Sequence, residues 1–451
     1  MKLSVMAQVL NAALIGADRE IRTFSSDTRS IQAGDMFIAL SGANFDANAF
    51  IAQAAEKGAV AALVSRADAN AKIPQIVVAD TFKALGQLAK AWREQYPALT
   101  RVAITGSAGK TTTKEMTASI FREMGETLAT LGNKNNEIGV PLTLLRLHGT
   151  EQYGVFELGA NHKGEIAYTS GLVQPQAAVI VNVGSAHLEG FGSRLGIAEA
   201  KGEIYDGLTK DGIAIINMDD DFAVYWLDHC KGRKVLHIST QKPADVYATQ
   251  IRQGERRGYV FTLHIGNDTA EVELQLLGRH NVPNAVAAAA LAHACGVPIE
   301  KIRAGLNHTQ PVKGRMILNV VGEQQYVIDD TYNANPSSMK AAIDVLADMP
   351  GRRVLVTGDM GELGSATESG HREVGEYAKM KKIDALYAVG QYSDFTAAGY
   401  GEGAKTSATQ QVLIEELGKE LEGVVTILVK GSRSARMENV VNVLTEKKEQ
   451  H

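Results

Sequence analysis

Cysteine is nearly missing: Cys230 and Cys295 are the only two in 451 residues. Neither belongs to a Cys-x-x-Cys pair, so no thiolate zinc site is indicated. Two scattered thiols fit a reducing compartment better than a disulfide-stapled fold. Cys295 follows the Ala-rich run Ala285–Ala294 and is expected to be buried and inert. A basic excess is also missing. With 46 Lys and Arg against 51 Asp and Glu, the net charge is -5, which speaks against broad binding to nucleic acid or a membrane surface. No run of 18 apolar residues could span a bilayer, and residues 1–16 lack the basic, apolar, small-residue succession of a secretion signal. The expectation is a soluble cytoplasmic chain with neither nucleic-acid nor membrane partners.

What is present reads as α/β. Apolar residues make up 45% and charged residues 22%, ordinary for globular chains, and the length suggests about three domains. A first section, 1–98, alternates short strands (Met36–Leu40, Ala61–Val64, Gln75–Val78) with helical stretches (Ala47–Lys57, Phe82–Tyr96) and stops at Pro97. A second, 99–311, carries continuous apolar strands at Arg101–Thr105, Gly154–Leu158, Ala177–Val183 and Ile213–Asn217, the pattern of a parallel sheet buried on both faces. Helices begin near Lys110, Leu142 and Ile197, and Tyr259–His264 with Ala270–Leu277 read as an antiparallel extension. Helices over Val282–Ala294 and Ile299–Leu306 close the section. The third, 312–451, alternates strands (Tyr326–Asp329, Val354–Thr357, Ala385–Val389, Val424–Leu428) with helices (Ser337–Ala347, Glu373–Met380, Gln411–Leu421, Ala435–Leu444), a second doubly wound pattern. The tail at Lys447 and Lys448 is expected to fray.

The sharpest signal is Thr105-Gly106-Ser107-Ala108-Gly109-Lys110-Thr111-Thr112, between an apolar strand and a helix. In that setting backbone N–H groups and the positive end of the helix cradle phosphate, the lysine reaches the terminal phosphates and the first threonine offers its hydroxyl to Mg²⁺. A full phosphate loop has glycine where Ile104 stands, so this one is effectively shorter. Glu157, at a strand's carboxyl end, is a natural Mg²⁺ ligand there, against the alternative of a solvated acid. His187, just past Ala177–Val183, is a possible second ligand or a plain loop histidine. Lys201, in Ala-Glu-Ala-Lys-Gly-Glu, reads by itself as an exposed helix lysine.

Taken together, these stretches resemble the Mur ligases, the amide-forming enzymes of peptidoglycan precursor assembly. The shared motifs are the phosphate loop, residues 132–145 (Gly-Asn-Lys-Asn-Asn-Glu-Ile-Gly-Val-Pro-Leu-Thr-Leu-Leu), 157–161 (Glu-Leu-Gly-Ala-Asn), 186–192, 198–203, 277–284 (Leu-Gly-Arg-His-Asn-Val-Pro-Asn), 314–316, 329–336 (Asp-Asp-Thr-Tyr-Asn-Ala-Asn-Pro), 358–364 (Gly-Asp-Met-Gly-Glu-Leu-Gly) and 430–433 (Lys-Gly-Ser-Arg). They span essentially the whole chain. The stretches at 329–336 and 358–364, with no Asp-Asn-Pro-Arg, point to the family member that adds D-alanyl-D-alanine to a UDP-N-acetylmuramoyl-tripeptide.

The resemblance implies three domains: a small α/β UDP-sugar domain, a central P-loop-type parallel-sheet ATPase-like domain and a C-terminal Rossmann-like domain. It implies an ADP-forming ligase working through an acyl phosphate. ATP would be held by Gly106, Ser107, Ala108, Gly109, Lys110, Thr111, Thr112, Asn281, Asn284, Arg315 and Asp330. Asn281 and Asn284 would contact adenine (or, by the plainer reading, cap a helix), Arg315 the γ-phosphate and Asp330 the ribose. Two Mg²⁺ would be held by Thr111, Glu157, His187 and Lys201, the last as N6-carboxylysine. Ser26, Asp27, Thr28, Arg29, Asn133, Asn135 and Asn136 would bind the UDP-sugar peptide, with Arg29 on the diphosphate. Asn333, Asn335 and Asp359 are placed with the dipeptide by position. Lys110, Glu157, His187, Lys201 and Arg315 form the implied catalytic set, and a monomer is expected. The first domain departs from the family's usual Gly-x-x-x-Asp-Gly-His, reading Asp46-Ala47-Asn48 here. A related amide ligase of another Mur or folylpolyglutamate type, or an ATPase without ligase activity, are the alternatives.

Overall fold

The computed structural model describes residues 1–42, 45–184, 188–255 and 257–446. By contacts these form two compact units. One comprises 1–105, 124–178 and 203–214, the other 106–123, 179–202 and 215 onward.

In the first unit a five-stranded sheet has the spatial order Ala13–Ile15, Gln75–Val77, Ala61–Val64, Asp35–Ile38, Thr23–Ser25. All neighbours pair in parallel except the first two. The inner strands Asp35–Ile38 and Ala61–Val64 are buried along their full length, as expected where both faces of a parallel sheet are covered. Phe37, Ile51, Ala54 and Val64 pack one face. Further along, Thr127–Ala129, Tyr153–Glu157 and Thr100–Thr105 lie side by side in parallel. Ile104 pairs with Glu157 and is fully buried, so the position that a longer phosphate loop gives to glycine is here an ordinary sheet residue.

The helix Thr81–Arg93 ties the early residues to the later ones. Asp80 caps it, accepting from the amides of Phe82 and Lys83. At its far end the Trp92 indole donates to the carbonyl of Leu147 at 3.0 Å and Arg93 to that of Leu172 at 2.9 Å. Arg101 donates from Nε to the carbonyls of Val173 (2.9 Å) and Gln174 (3.2 Å). Two buried arginines thus satisfy the last carbonyls of the helix Glu165–Val173, which have no acceptor role inside the helix. Burial, with Arg93's charge adding, pulls the Arg101 guanidinium down to about 10.

In the second unit the helix Lys110–Arg122 packs against Asn281–Ala294 and Ile299–Asn307. The alanine run makes this possible: nearly the whole of Asn281–Leu291 is buried. The last sheet has the order Ile317–Gly322, Gln325–Asp330, Val425–Lys430, Arg352–Thr357, Ala385–Val389, Ala404–Ser407, antiparallel only in its first pair. Pro336–Ala347, Thr367–Met380 and Ser393–Tyr400 cover one face; Gln410–Leu417 and Glu438–Glu446 cover the other. The connection after Val425–Lys430 therefore leaves to the face opposite that taken by its neighbours on both sides. Their carboxyl ends open a crevice of the kind where ligands bind in open α/β sheets.

Several expectations shift. Helix Thr367–Met380 starts well before Glu373, and Glu438–Glu446 starts after Ala435 because Arg436 adopts φ +50° and breaks the turn. The strands Lys234–Ser239, Val246–Gln253, Ile317–Gly322 and Ala404–Ser407, and the helices Leu3–Val9, Glu165–Val173 and Ser393–Tyr400, were not foreseen. Both cysteines are free, and Cys295 is half-buried rather than buried, its thiol pushed up to about 12 by desolvation. Among the described residues, no helix is long and apolar enough to cross a membrane. Lys447 and Lys448 lie outside the described residues.

Candidate active site

From Gly106 onward the phosphate loop belongs to the second unit. Gly109 caps the helix Lys110–Arg122 in the left-handed region, φ +79°, and a Cβ there would stand 2.4 Å from the Asn284 side-chain oxygen. Glycine is needed on both counts. The loop is braced by a residue that sequence reasoning gave no role. Asn182 accepts from the amide of Ser107 with its carbonyl and from that of Ala108 with Oδ1, both at 2.9 Å, and returns Nδ2 to the Ala108 carbonyl at 3.0 Å. Those two amides therefore face Asn182. Lys110 Nζ folds over the loop to the Gly106 carbonyl at 2.7 Å. The Ser107 hydroxyl is buried with no hydrogen-bond partner among the described residues.

Arg315 points at this loop. Its Nη2 donates to Thr111 Oγ1 at 2.9 Å, and its guanidinium lies 4.2 Å from the centre of the Tyr332 ring. Its Nε is buried without a partner among the described residues. Asn281 and Asn284 sit inside the first turn of Asn281–Ala294, both buried. Asn281 Nδ2 donates to the Leu277 carbonyl (2.7 Å), and Asn284 Nδ2 to Asn281 Oδ1 (3.0 Å). The N-cap position is His280, which makes no side-chain capping bond, so the capping alternative for the two asparagines fails. They are a hydrogen-bonded amide pair, with Asn284 against Gly109.

Lys201 ends the helix Arg194–Gly202 and is only 2% exposed, which overturns its plain reading as a surface lysine. Burial, and after it the nearby charge of Lys110, holds its amine well below the usual lysine range. A neutral amine is the form that can take up CO₂ as a carbamate. His187 lies outside the described residues. Among those described, no three His, Cys, Asp or Glu side chains converge as a metal-binding group.

At the carboxyl ends of the last sheet, Asp330 is buried and pairs with Lys430 at 2.6 Å. Asn335 caps Pro336–Ala347 in a capping box with Ser338, so its side chain is committed to the helix. Asp359 accepts from the amides of Gln391 (2.9 Å) and Tyr392 (3.0 Å) and so holds the end of the neighbouring strand. Asn333 is exposed at the crevice, its Oδ1 accepting from Ala334.

In the first unit, Glu157 is 2% exposed, not a solvated acid. Asn135 Nδ2 donates to its Oε1 at 2.8 Å, and Thr130 Oγ1 accepts from its amide. The asparagine segment is thus wrapped around Glu157: Asn135 also accepts from Gly159, Asn133 from Asn135, and Asn136 from Gly139. Arg29 is exposed and grips Asp27 at 2.6 Å, which holds that carboxyl down to about 2; Ser26 and Thr28 are half-buried beside them. Where the family pattern has histidine, Asn48 is buried and bonded to Asp46, Ser41 and Ser65, a local structural knot.

Comparison with known proteins decides the family. A Mur ligase middle-domain model matches residues 104–292, a Mur ligase glutamate ligase domain model 314–433, and a Mur ligase family catalytic-domain model 20–93. The chain belongs to the Mur ligase family. This Mur ligase is 48% identical to UDP-N-acetylmuramoyl-tripeptide--D-alanyl-D-alanine ligase of Escherichia coli (strain K12), over 98% of each chain. It is 36% identical to the Bacillus subtilis (strain 168) protein of the same name, over 94% of this chain and 93% of that one. Among solved structures it superposes on MurF from Acinetobacter baumannii with TM-score 0.91 and 40% identity, covering 98% of both chains. MurF ligase from Thermotoga maritima in complex with ADP matches with TM-score 0.84 and 28% identity, over 95% of this chain and 98% of that one. The three-domain α/β architecture of this Mur ligase is that of those structures, and it is an ATP-dependent amide-bond ligase.

Proposed function

We propose that this Mur ligase joins D-alanyl-D-alanine to the terminal carboxylate of UDP-N-acetylmuramoyl-tripeptide with ATP, the last cytoplasmic step of peptidoglycan precursor synthesis. The observation that carries this is the end-to-end 48% identity to the E. coli ligase of that name. In this reading residues 1–98 take the UDP-sugar, 99–311 take ATP, and 312–451 close on ATP and bind the dipeptide.

The tripeptide carboxylate attacks the γ-phosphorus in line, the bond to the β-phosphate oxygen breaks, and an acyl phosphate and ADP result. The dipeptide's neutral amine then adds to the acyl carbon. The tetrahedral adduct loses a proton from nitrogen and expels phosphate, leaving the amide. Lys110, the first turn of its helix and Arg315 stabilise charge on the transferred phosphoryl group. Asn281, Asn284 and Asp330 orient the nucleoside. Ser26, Asp27, Thr28, Arg29, Asn133, Asn135 and Asn136 hold the UDP-sugar peptide, with Asn333, Asn335 and Asp359 near the dipeptide. The hard-oxygen donors Thr111 and Glu157, with His187 and Lys201 in carboxylated form, would hold two Mg²⁺, which would neutralise phosphate charge. The depressed basicity and burial of Lys201 fit such a modification.

Phosphate release from Mg-ATP tests the reading. Release should require both UDP-tripeptide and D-alanyl-D-alanine and yield a product heavier by the dipeptide minus water. Brisk release with neither substrate would instead mark an ATPase without ligase activity. Release only with another acceptor would keep the family and change the substrate.

A further inference from the structure

Arg315 reaches the phosphate loop from a backbone that is held in an unfavourable shape. The next residue, Met316, is not glycine, yet sits at φ +51°. The preceding Gly314 is also left-handed, at φ +74°, and its carbonyl accepts from the Tyr332 amide at 3.0 Å. Such a turn persists only where its surroundings hold it. Here the hold is traceable. The Met316 amide donates to Asp330 Oδ1 at 3.2 Å, and the other carboxylate oxygen, Oδ2, pairs with Lys430 Nζ at 2.6 Å. Lys430 is 3% exposed, and its Nζ donates in addition to the Asn333 carbonyl at 2.7 Å. Asp330 and Lys430 are direct neighbours across parallel strands, so their spacing is set by the sheet.

We infer that the buried Lys430–Asp330 pair is the device that aims Arg315 at the phosphate loop. Lys430 fixes the Asp330 carboxylate, Asp330 fixes the strained Met316 amide, and that turn directs the Arg315 guanidinium along the Tyr332 ring to Thr111. Lys430 is thus a positioning residue: it acts on the reaction through Arg315. The inference rests on the reading above in which Arg315 serves the transferred phosphoryl group.

A double-mutant cycle separates this from plain structural support. Lys430→Met should lower kcat about tenfold or more, with KM for ATP changing less than about threefold. In an Arg315→Ala background the same substitution should lower kcat less than about twofold further, because there is no longer a guanidinium to aim. Equal fold losses in both backgrounds would overturn the inference. Arg315→Ala leaving kcat unchanged would remove the reading on which it rests, a separate and visible result. Should Lys430→Met not fold, the milder Lys430→Gln carries the same cycle, with circular dichroism and Tm showing that the fold is intact. Loss of Tm with full kcat would also overturn the aiming role.

Discussion

Asn182 shows what one side chain contributes to a phosphate loop from outside it. Two side-chain hydrogen bonds, at 2.9 and 3.0 Å, clamp Ala108 and so fix the approach to the helix end, while the Asn182 backbone carbonyl holds Ser107. Asn182→Ala should weaken ATP binding by roughly 10- to 100-fold, about 1.4–2.8 kcal/mol, as expected when such bonds are lost from a half-buried site. Titration calorimetry checks this; unchanged affinity would mean that the loop holds its shape unaided. In the sequence Asn182 is one more polar residue after an apolar run, and nothing local pairs it with residues more than seventy positions earlier. The loop itself was legible, because its spacing is local chemistry. Glu157 was legible as a strand-end acid, but its burial and its bond to Asn135 were not. Lys201 was misread by plain chemistry for the same reason: a lysine in a helix is usually solvated, and only the packing of Arg194–Gly202 shows this one to be enclosed.

At the scale of elements, glycines that look like helix breakers are contact points. Gly375 and Gly399 stand where Thr367–Met380 meets Ser393–Tyr400: a Cβ at Gly375 would be 2.0 Å from the Thr396 carbonyl oxygen, and one at Gly399 2.1 Å from that of Arg372. The expected helix Glu373–Met380 ran through Gly375 but began about one and a half turns late, and Ser393–Tyr400 was not foreseen. The missed strand Val246–Gln253 alternates buried and exposed residues weakly, and its pairing slips between Thr249 and Arg252, which blurs the period-two signal. Gly305 seats the phosphate-loop helix in the same way. A Cβ there would lie 2.3 Å from Ile120 Cα, while Ser119 Oγ donates to the Gly305 carbonyl at 2.7 Å. Gly305→Ala should therefore destabilise by about 1–3 kcal/mol through overpacking against backbone, read as a fall in Tm by calorimetry. An unchanged Tm would show that the two helices can part at little cost.

At the scale of the molecule, strand and helix alternation marked three sections, yet contacts group the chain differently: residues 1–105 pack with 124–178 and 203–214. Periodicity reports which element a residue is in, not which carbonyl a distant arginine will reach. Arg93 and Arg101 are the clearest case, since both look like ordinary surface cations in sequence and both are buried. Arg101→Met should cost about 2–4 kcal/mol, because it strands carbonyls that have lost water. That loss should appear as an earlier denaturation midpoint of this unit.

The chain carries its own means of seeing it. It has two tryptophans. Trp92, locked to Leu147, lies in the first unit, and Trp226, fully buried with its indole donating to the Ala198 carbonyl at 3.1 Å, lies in the second. Replacing either by phenylalanine leaves a single emitter, so the red shift on unfolding would time each unit alone and tell whether the two melt together or in turn.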